Sequence, residues 1–67
     1  MRDWLKDKRT EKGLTMDELA KAIGISESYY KRIENGERQR KMDIRLALKL
    51  CKILDIPIEE IIAKEGT

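Results

Sequence analysis

The sequence predicts an all-α domain of five short helices. Three observations carry that expectation. No stretch alternates apolar and polar side chains over the length of a strand, and β-branched residues are scattered. Apolar residues recur three and four positions apart, as on one face of a helix. Glycine, serine and threonine stand at the intervals where helices stop and start.

The first helix is expected from about Arg2 to Lys12, ended by Gly13 in the left-handed conformation that a helix C-terminus often uses. Leu14, placed to staple against Leu19, leads into Thr15-Met16-Asp17-Glu18. There Thr15 caps free backbone amides and Glu18 reaches back as its capping-box partner. The second helix turns Leu19, Ala20 and Ile23 inward and is broken by Gly24. Ser26 is the next N-cap. The third helix runs from Glu27 to Asn35 and stops at Gly36. Two short helices joined by a turn of about three residues, with glycine at its head, have helix-turn-helix spacing. The capping box before it and the Asn-Gly stop after it make the match more than a chance turn; it covers about residues 15–36.

Glu37 to Met42 is a polar, basic loop. The fourth helix is expected from about Asp43 to Leu54, with Ala47, Leu50, Cys51 and Leu54 as its inward stripe and Ile44 and Leu48 on the margin. Leu46 and Ile53 widen its apolar face. Asp55 ends it, in a place where glycine or asparagine is the easier choice. Pro57 starts a short fifth helix with Ile58, Ile61 and Ile62 on one side. The expected core is Leu5, Leu19, Ala20, Ile23, Tyr30, Ile33, Ala47, Leu50, Cys51 and Leu54. Tyr30, three residues before Ile33, takes the core side, so Tyr29 faces outward with Ser26. With no repeat, low-complexity tract or linker, residues 1–67 are expected to form one domain.

Composition excludes most chemistry. A chain of 67 residues buries only about 60% of its unfolded surface, too little for a catalytic cleft plus a cofactor domain. Histidine is absent and Cys51 is the single cysteine, which removes histidine acid–base chemistry, Cys–His pairs and Cys/His zinc sites. A lone thiol builds no intrachain disulfide and fits a reducing cytosol; Cys51 reads as a small core residue. Glu59 and Glu60 are adjacent on a helix and do not face each other, so they are no acid–base dyad. No cofactor, metal or enzymatic activity is expected. No run of about 18 apolar residues suits a membrane span, and Met1-Arg2-Asp3-Trp4 lacks a signal-peptide core. The expected location is the cytoplasm.

The net charge is only +2, but it is unevenly spread. Arg38 to Lys52 holds six basic residues against Asp43, whereas Asp55 to Thr67 holds four acids against Lys64. A basic middle beside an acidic end points to a local anionic partner.

These residues resemble a known family. Leu14-Thr15-Met16-Asp17-Glu18-Leu19-Ala20, Gly24-Ile25-Ser26 and Arg32-Ile33-Glu34-Asn35-Gly36 are similar to the Cro and phage-repressor type of helix-turn-helix regulators, also called the xenobiotic-response-element family. Leu5-Lys6-Asp7-Lys8-Arg9 and Leu50-Cys51-Lys52-Ile53-Leu54-Asp55-Ile56 also match, so the resemblance covers nearly the whole chain. It implies a five-helix, lambda-repressor-like fold that binds double-stranded DNA and regulates transcription. Two departures stand out. Met16 replaces a glutamine that commonly touches a DNA phosphate, a contact methionine does not make. The loop after Gly36 is also a residue or two longer than the common form.

The resemblance implies base reading by Glu27, Ser28, Tyr29 and Arg32. Arg32 is suited to a bidentate contact with guanine; its bland alternative is a solvated helix charge, although Ser28, one turn earlier, offers it no ion pair. Glu27 either complements the helix dipole or accepts from a cytosine amine. Tyr29 meets a phosphate or base edge, or is a partly exposed surface tyrosine. Phosphate contacts are expected from Ser26, Asn35, Arg38, Arg40, Lys41 and Arg45. Asn35 has the alternative of simply ending its helix, and the loop cations that of a solubilising surface. Arg9 and Glu34 occupy positions that pair, in the family, as a half-buried structural salt bridge.

Leu46, Ile53, Ile58, Ile61 and Ile62 supply more apolar surface than so small a core needs. Their excess is expected to form a two-fold homodimer interface. The leading reading is a sequence-specific repressor of phage, mobile-element or controller type, switched by concentration, a partner or degradation. The competing reading is a protein-interaction module, such as the antitoxin of a toxin–antitoxin pair. The few residues after Ala63 argue against a long toxin-binding tail.

Overall fold

In a computed structural model, residues 1–66 are described; Thr67, the last residue of the expected domain, lies outside the described residues. The helices are α1 (Asp3–Glu11), α2 (Met16–Ile23), α3 (Glu27–Asn35), α4 (Ile44–Leu54) and α5 (Ile58–Glu65). No strand occurs among the described residues. Three expected starts fall one residue early, because Arg2, Asp43 and Pro57 are the caps rather than the first helical residues.

Local chemistry explains these boundaries. At α2 both halves of the capping box form: the Glu18 amide donates to Thr15 Oγ1 at 3.1 Å and the Thr15 amide to Glu18 Oε1 at 2.8 Å. At α3 Ser26 Oγ accepts from the Tyr29 amide at 3.1 Å. At α4 Asp43 Oδ1 accepts from the Arg45 amide at 2.7 Å, and this bond holds the Asp43 carboxyl below its ordinary range. Gly24 and Gly36 close α2 and α3 at φ of 78° and 84°, where a side chain would be strained. Asp55 adopts the same left-handed geometry at φ 56° without glycine's freedom.

The helices close on one core. Helix α2 packs against both α3 and α4, α4 against α5, and α1 against α3. The buried apolar residues are Leu5, Leu19, Ala20, Ile23, Tyr30, Ile33, Ala47, Leu50, Leu54, Ile56 and Ile61. Trp4, Leu14, Met16 and Leu46 pack against it from its margin.

Two expectations are corrected. Cys51 is not in the core: Ala47, Leu50 and Leu54 take the inward line of α4 and leave Cys51 half-buried at the rim. Partial burial and the charge of Glu59 push its thiol up, away from reactivity. Ile61, expected at a dimer surface, is only 1% exposed and completes the core where α5 meets α4.

Two substitutions test this packing. Leu50 is fully buried, so Leu50→Ala should cost about 2–5 kcal/mol in urea unfolding. Asp55→Gly should stabilise by about 0.5–1 kcal/mol, because relief of left-handed strain exceeds glycine's added chain entropy. A raised melting midpoint would register it.

Candidate nucleic-acid interface

Helix α3 has two opposed faces. Tyr30, Ile33 and Glu34 are buried, whereas Glu27, Ser28, Lys31, Arg32 and Asn35 are exposed. The exposed set follows four-residue spacing and forms one side of the helix. Lys31 belongs to that face and was missed by sequence reasoning, although its place four residues after Glu27 would have found it. Ser26 stands at the head of the helix, its hydroxyl engaged as the cap.

What fixes this rotation of α3 is a buried polar cluster. Glu34 is 2% exposed. Its carboxylate accepts from Arg9 Nε at 3.1 Å, Arg9 Nη2 at 3.3 Å and the Tyr30 hydroxyl at 2.6 Å. Arg9 Nη1 also donates to the Leu14 carbonyl at 2.8 Å. The hydrogen bond to Glu34 raises the pKa of Arg9 above its ordinary value. Burial, with the Glu34 carboxylate as acceptor, pushes the Tyr30 phenol well above its usual range. Among the described residues, no buried side-chain polar atom lacks a partner.

Beside α3 the chain folds back as a loop that carries Arg38, Arg40 and Lys41, all exposed, into the cap of α4 and the exposed Arg45. Arg45 Nε lies 3.6 Å from Asp43 Oδ1. The loop is not loose. Gln39, at φ 56°, donates from Nε2 to the Tyr29 hydroxyl at 2.7 Å and accepts at Oε1 from the Asp43 amide at 2.8 Å.

For Tyr29 the structure has the partly exposed setting that the sequence left as one of two alternatives. The ring does not project freely but is half-buried, packed against the core edge, with its hydroxyl held by the loop. The cause is the return of residues 36–43 over that side of α3, which no pattern within the helix announces. Met16 is likewise half-buried against the core. Of the apolar residues expected at a dimer surface, Ile53 and Ile62 are exposed, at 37% and 58%. Leu46 and Ile58 are half-buried against the core. Ile44 and Leu48 are exposed too.

The signature of the helix-turn-helix family matches residues 5–61. The chain belongs to the Cro and phage-repressor type of helix-turn-helix regulators. This is a family of DNA-binding transcriptional regulators. The chain is 56% identical over 64 residues to the ImmF control region 10 kDa protein of Bacillus phage phi105, covering 84% of this chain and 71% of that protein. It is 56% identical over 39 residues to the uncharacterized HTH-type transcriptional regulator YqaF of Bacillus subtilis (strain 168), covering 58% of this chain and 51% of YqaF. It is 30% identical over 63 residues to the cryptic phage CTXphi transcriptional repressor RstR of Vibrio cholerae, covering 94% of this chain and 55% of RstR. The chain thus spans about half the length of two of these relatives. No solved structure matches it significantly. Among the described residues no helix is long and apolar enough to cross a membrane, and no three metal-binding side chains cluster.

The buried cluster yields two measurements. Glu34→Ala should destabilise the helix-turn-helix regulator by about 3–5 kcal/mol, since it strands a buried arginine, and a double-mutant cycle with Arg9→Ala should show coupling. Tyr30 has a raised folded pKa, so the stability tied to its neutral form is complete below the ordinary phenol value of about 10 and is lost as pH rises beyond it. Urea unfolding between about pH 8 and 11 should show a steeper fall for the native protein than for Tyr30→Phe.

Proposed function

We propose that this protein is a sequence-specific repressor of transcription that binds double-stranded DNA in the cytoplasm, as a homodimer on a two-fold symmetric operator. One observation carries the reading: a short helix, held by a buried ion pair, turns an uninterrupted polar face to solvent beside an exposed basic loop. An α-helix fits the major groove of B-DNA, where base edges are distinguishable. In this reading Glu27, Ser28 and Arg32 face the bases, joined by Lys31. Arg32, one turn inside the helix, has the reach and the forked donors for guanine O6 and N7.

Ser26, Asn35, Arg38, Arg40, Lys41 and Arg45 contact phosphates on either side. Phosphate contacts supply affinity and orientation, base contacts supply discrimination. Tyr29 supports the loop through Gln39 rather than reading a base freely. The names of the phage relatives, a control-region protein and a repressor, favour repression. For the second copy, exposed Ile53 on α4 and Ile62 on α5 remain the apolar candidates of the expected surface; Ile44 and Leu48 are exposed on the other flank of α4.

Selection from a random duplex pool tests the reading. A palindromic consensus with half-sites about one helical turn apart is expected; no enrichment would move the function to a protein partner. On the selected site Arg32→Ala should cost about 1–3 kcal/mol and relax preference at one base pair per half-site. Lys41→Ala should weaken all duplexes alike and lower the salt slope by about one. Equal loss on specific and random duplexes for Arg32→Ala would make it a phosphate contact only.

A further inference from the structure

Arg2 is 7% exposed, near one end of the chain and in no part of the helix-turn-helix. A buried arginine needs a reason, and its contacts supply one. Its Nε meets both carboxylate oxygens of Glu65, at 2.9 and 3.0 Å, and Trp4 Nε1 braces the same carboxylate at 2.9 Å. The neutralised guanidinium spends its remaining donors on backbone. Nη1 donates to the carbonyl of Ile33 at 2.6 Å and of Arg38 at 3.1 Å, and Nη2 donates to the carbonyl of Gln39. The Arg2 amide adds a bond to the Glu34 carbonyl at 2.8 Å.

These carbonyls belong to two things at once. Ile33 and Glu34 lie in the last turn of α3, where carbonyls run short of intrahelical partners and a cation is favoured by the helix dipole; the Ile33 carbonyl also accepts from the Gly36 amide at 3.1 Å. Arg38 and Gln39 lie in the basic loop. One planar side chain therefore ties the end of the recognition helix to the loop. Gln39 completes the tie from the other side through Tyr29 and the Asp43 amide.

We propose that Arg2 is the positioning residue of the DNA grip: it shapes the loop in the free protein, so that Arg38, Arg40 and Lys41 meet the DNA backbone without an ordering cost. This rests on the DNA-binding reading above. Arg2 itself touches no DNA; it faces inward on the Glu65 carboxylate and on main-chain acceptors. The five donors of a guanidinium in a fixed plane serve this geometry, whereas a lysine keeps the charge with three donors on one atom.

Arg2→Lys is therefore the informative variant, measured well below its melting temperature so that the unfolded fraction is negligible. Backbone 15N relaxation of the free protein should show residues 37–42 gaining fast motion, with α2 and α3 unchanged. Affinity should fall roughly tenfold on specific and random duplexes alike, because the loop must then be ordered on binding. The salt slope should stay at the wild-type value, since the same phosphates are contacted in the complex. A slope lower by about one would make Arg2 a phosphate contact and overturn the proposal. Unchanged loop motion with wild-type affinity would overturn it too.

Should Arg2→Lys fail to fold, Glu65→Ala replaces it. It removes the carboxylate that holds Arg2 and leaves the loop residues themselves unaltered, so the same pattern is expected. Wild-type loop order and affinity in that variant would equally defeat the proposal. If the native protein binds no duplex, the DNA reading falls, and the relaxation measurement alone decides whether Arg2 shapes the loop.

Discussion

The buried carboxylate of Glu34 is the constraint on which the rest of the protein depends. A charge at 2% exposure survives only when desolvation is met by close, well-aligned partners. Glu34 has Arg9 on two nitrogens and the Tyr30 hydroxyl at 2.6 Å. Arg9 then reaches the Leu14 carbonyl, so one cluster binds α1, the approach to α2 and α3. Apolar contacts alone are non-directional and tolerate a helix rolled by part of a turn. A bidentate ion pair does not. With Glu34 and Tyr30 held inside, Glu27, Ser28, Lys31 and Arg32 have no direction left but outward.

The same logic of satisfying backbone and charge runs on beyond α3. The end of that helix is closed by Gly36, by the amides of Glu37 and Arg38 on the Arg32 carbonyl, and by Arg2. Each of these partners also defines the start of the basic loop, so the polar face of the helix and the cations beside it form one surface. Affinity for a polyanion and discrimination among sequences are different physical demands. In the proposed reading they fall on adjacent segments with a shared anchor, and the small core of eleven apolar residues buried among the described ones carries both.

Much of this was legible in the sequence because it is local. The capping box at Thr15 and Glu18, the serine cap at Ser26 and the glycine stops depend on residues within four positions of one another, and the helices they bound fall within a residue of expectation. The inward stripe of α2, and most of that of α4, follows from spacing alone. The exposed face of α3 was legible in the same way, since the positions of Tyr30 and Ile33 assign the opposite side to Ser28 and Arg32. What local pattern cannot say is how far an apolar surplus is consumed inside. Ile61 and Ile62 are adjacent on one helix, yet Ile61 is buried and Ile62 is 58% exposed, because α4 covers one and not the other.

By itself, then, the sequence determined five helices, their ends, their apolar faces and the basic segment, all set by backbone capping and by the 3.6-residue period of the helix. Only the tertiary structure decided the burial and contacts of Arg2, whose side-chain partners lie 31 to 63 residues away, the half-burial of Tyr29 under the returning loop, and the place of Cys51 at the rim. These three are properties of surfaces that meet only after the chain has closed. A hydrogen-bond donor seeks whichever acceptor burial leaves beside it, and for Arg2 those acceptors were a carboxylate 63 residues away and main-chain carbonyls, which carry no trace in the order of side chains.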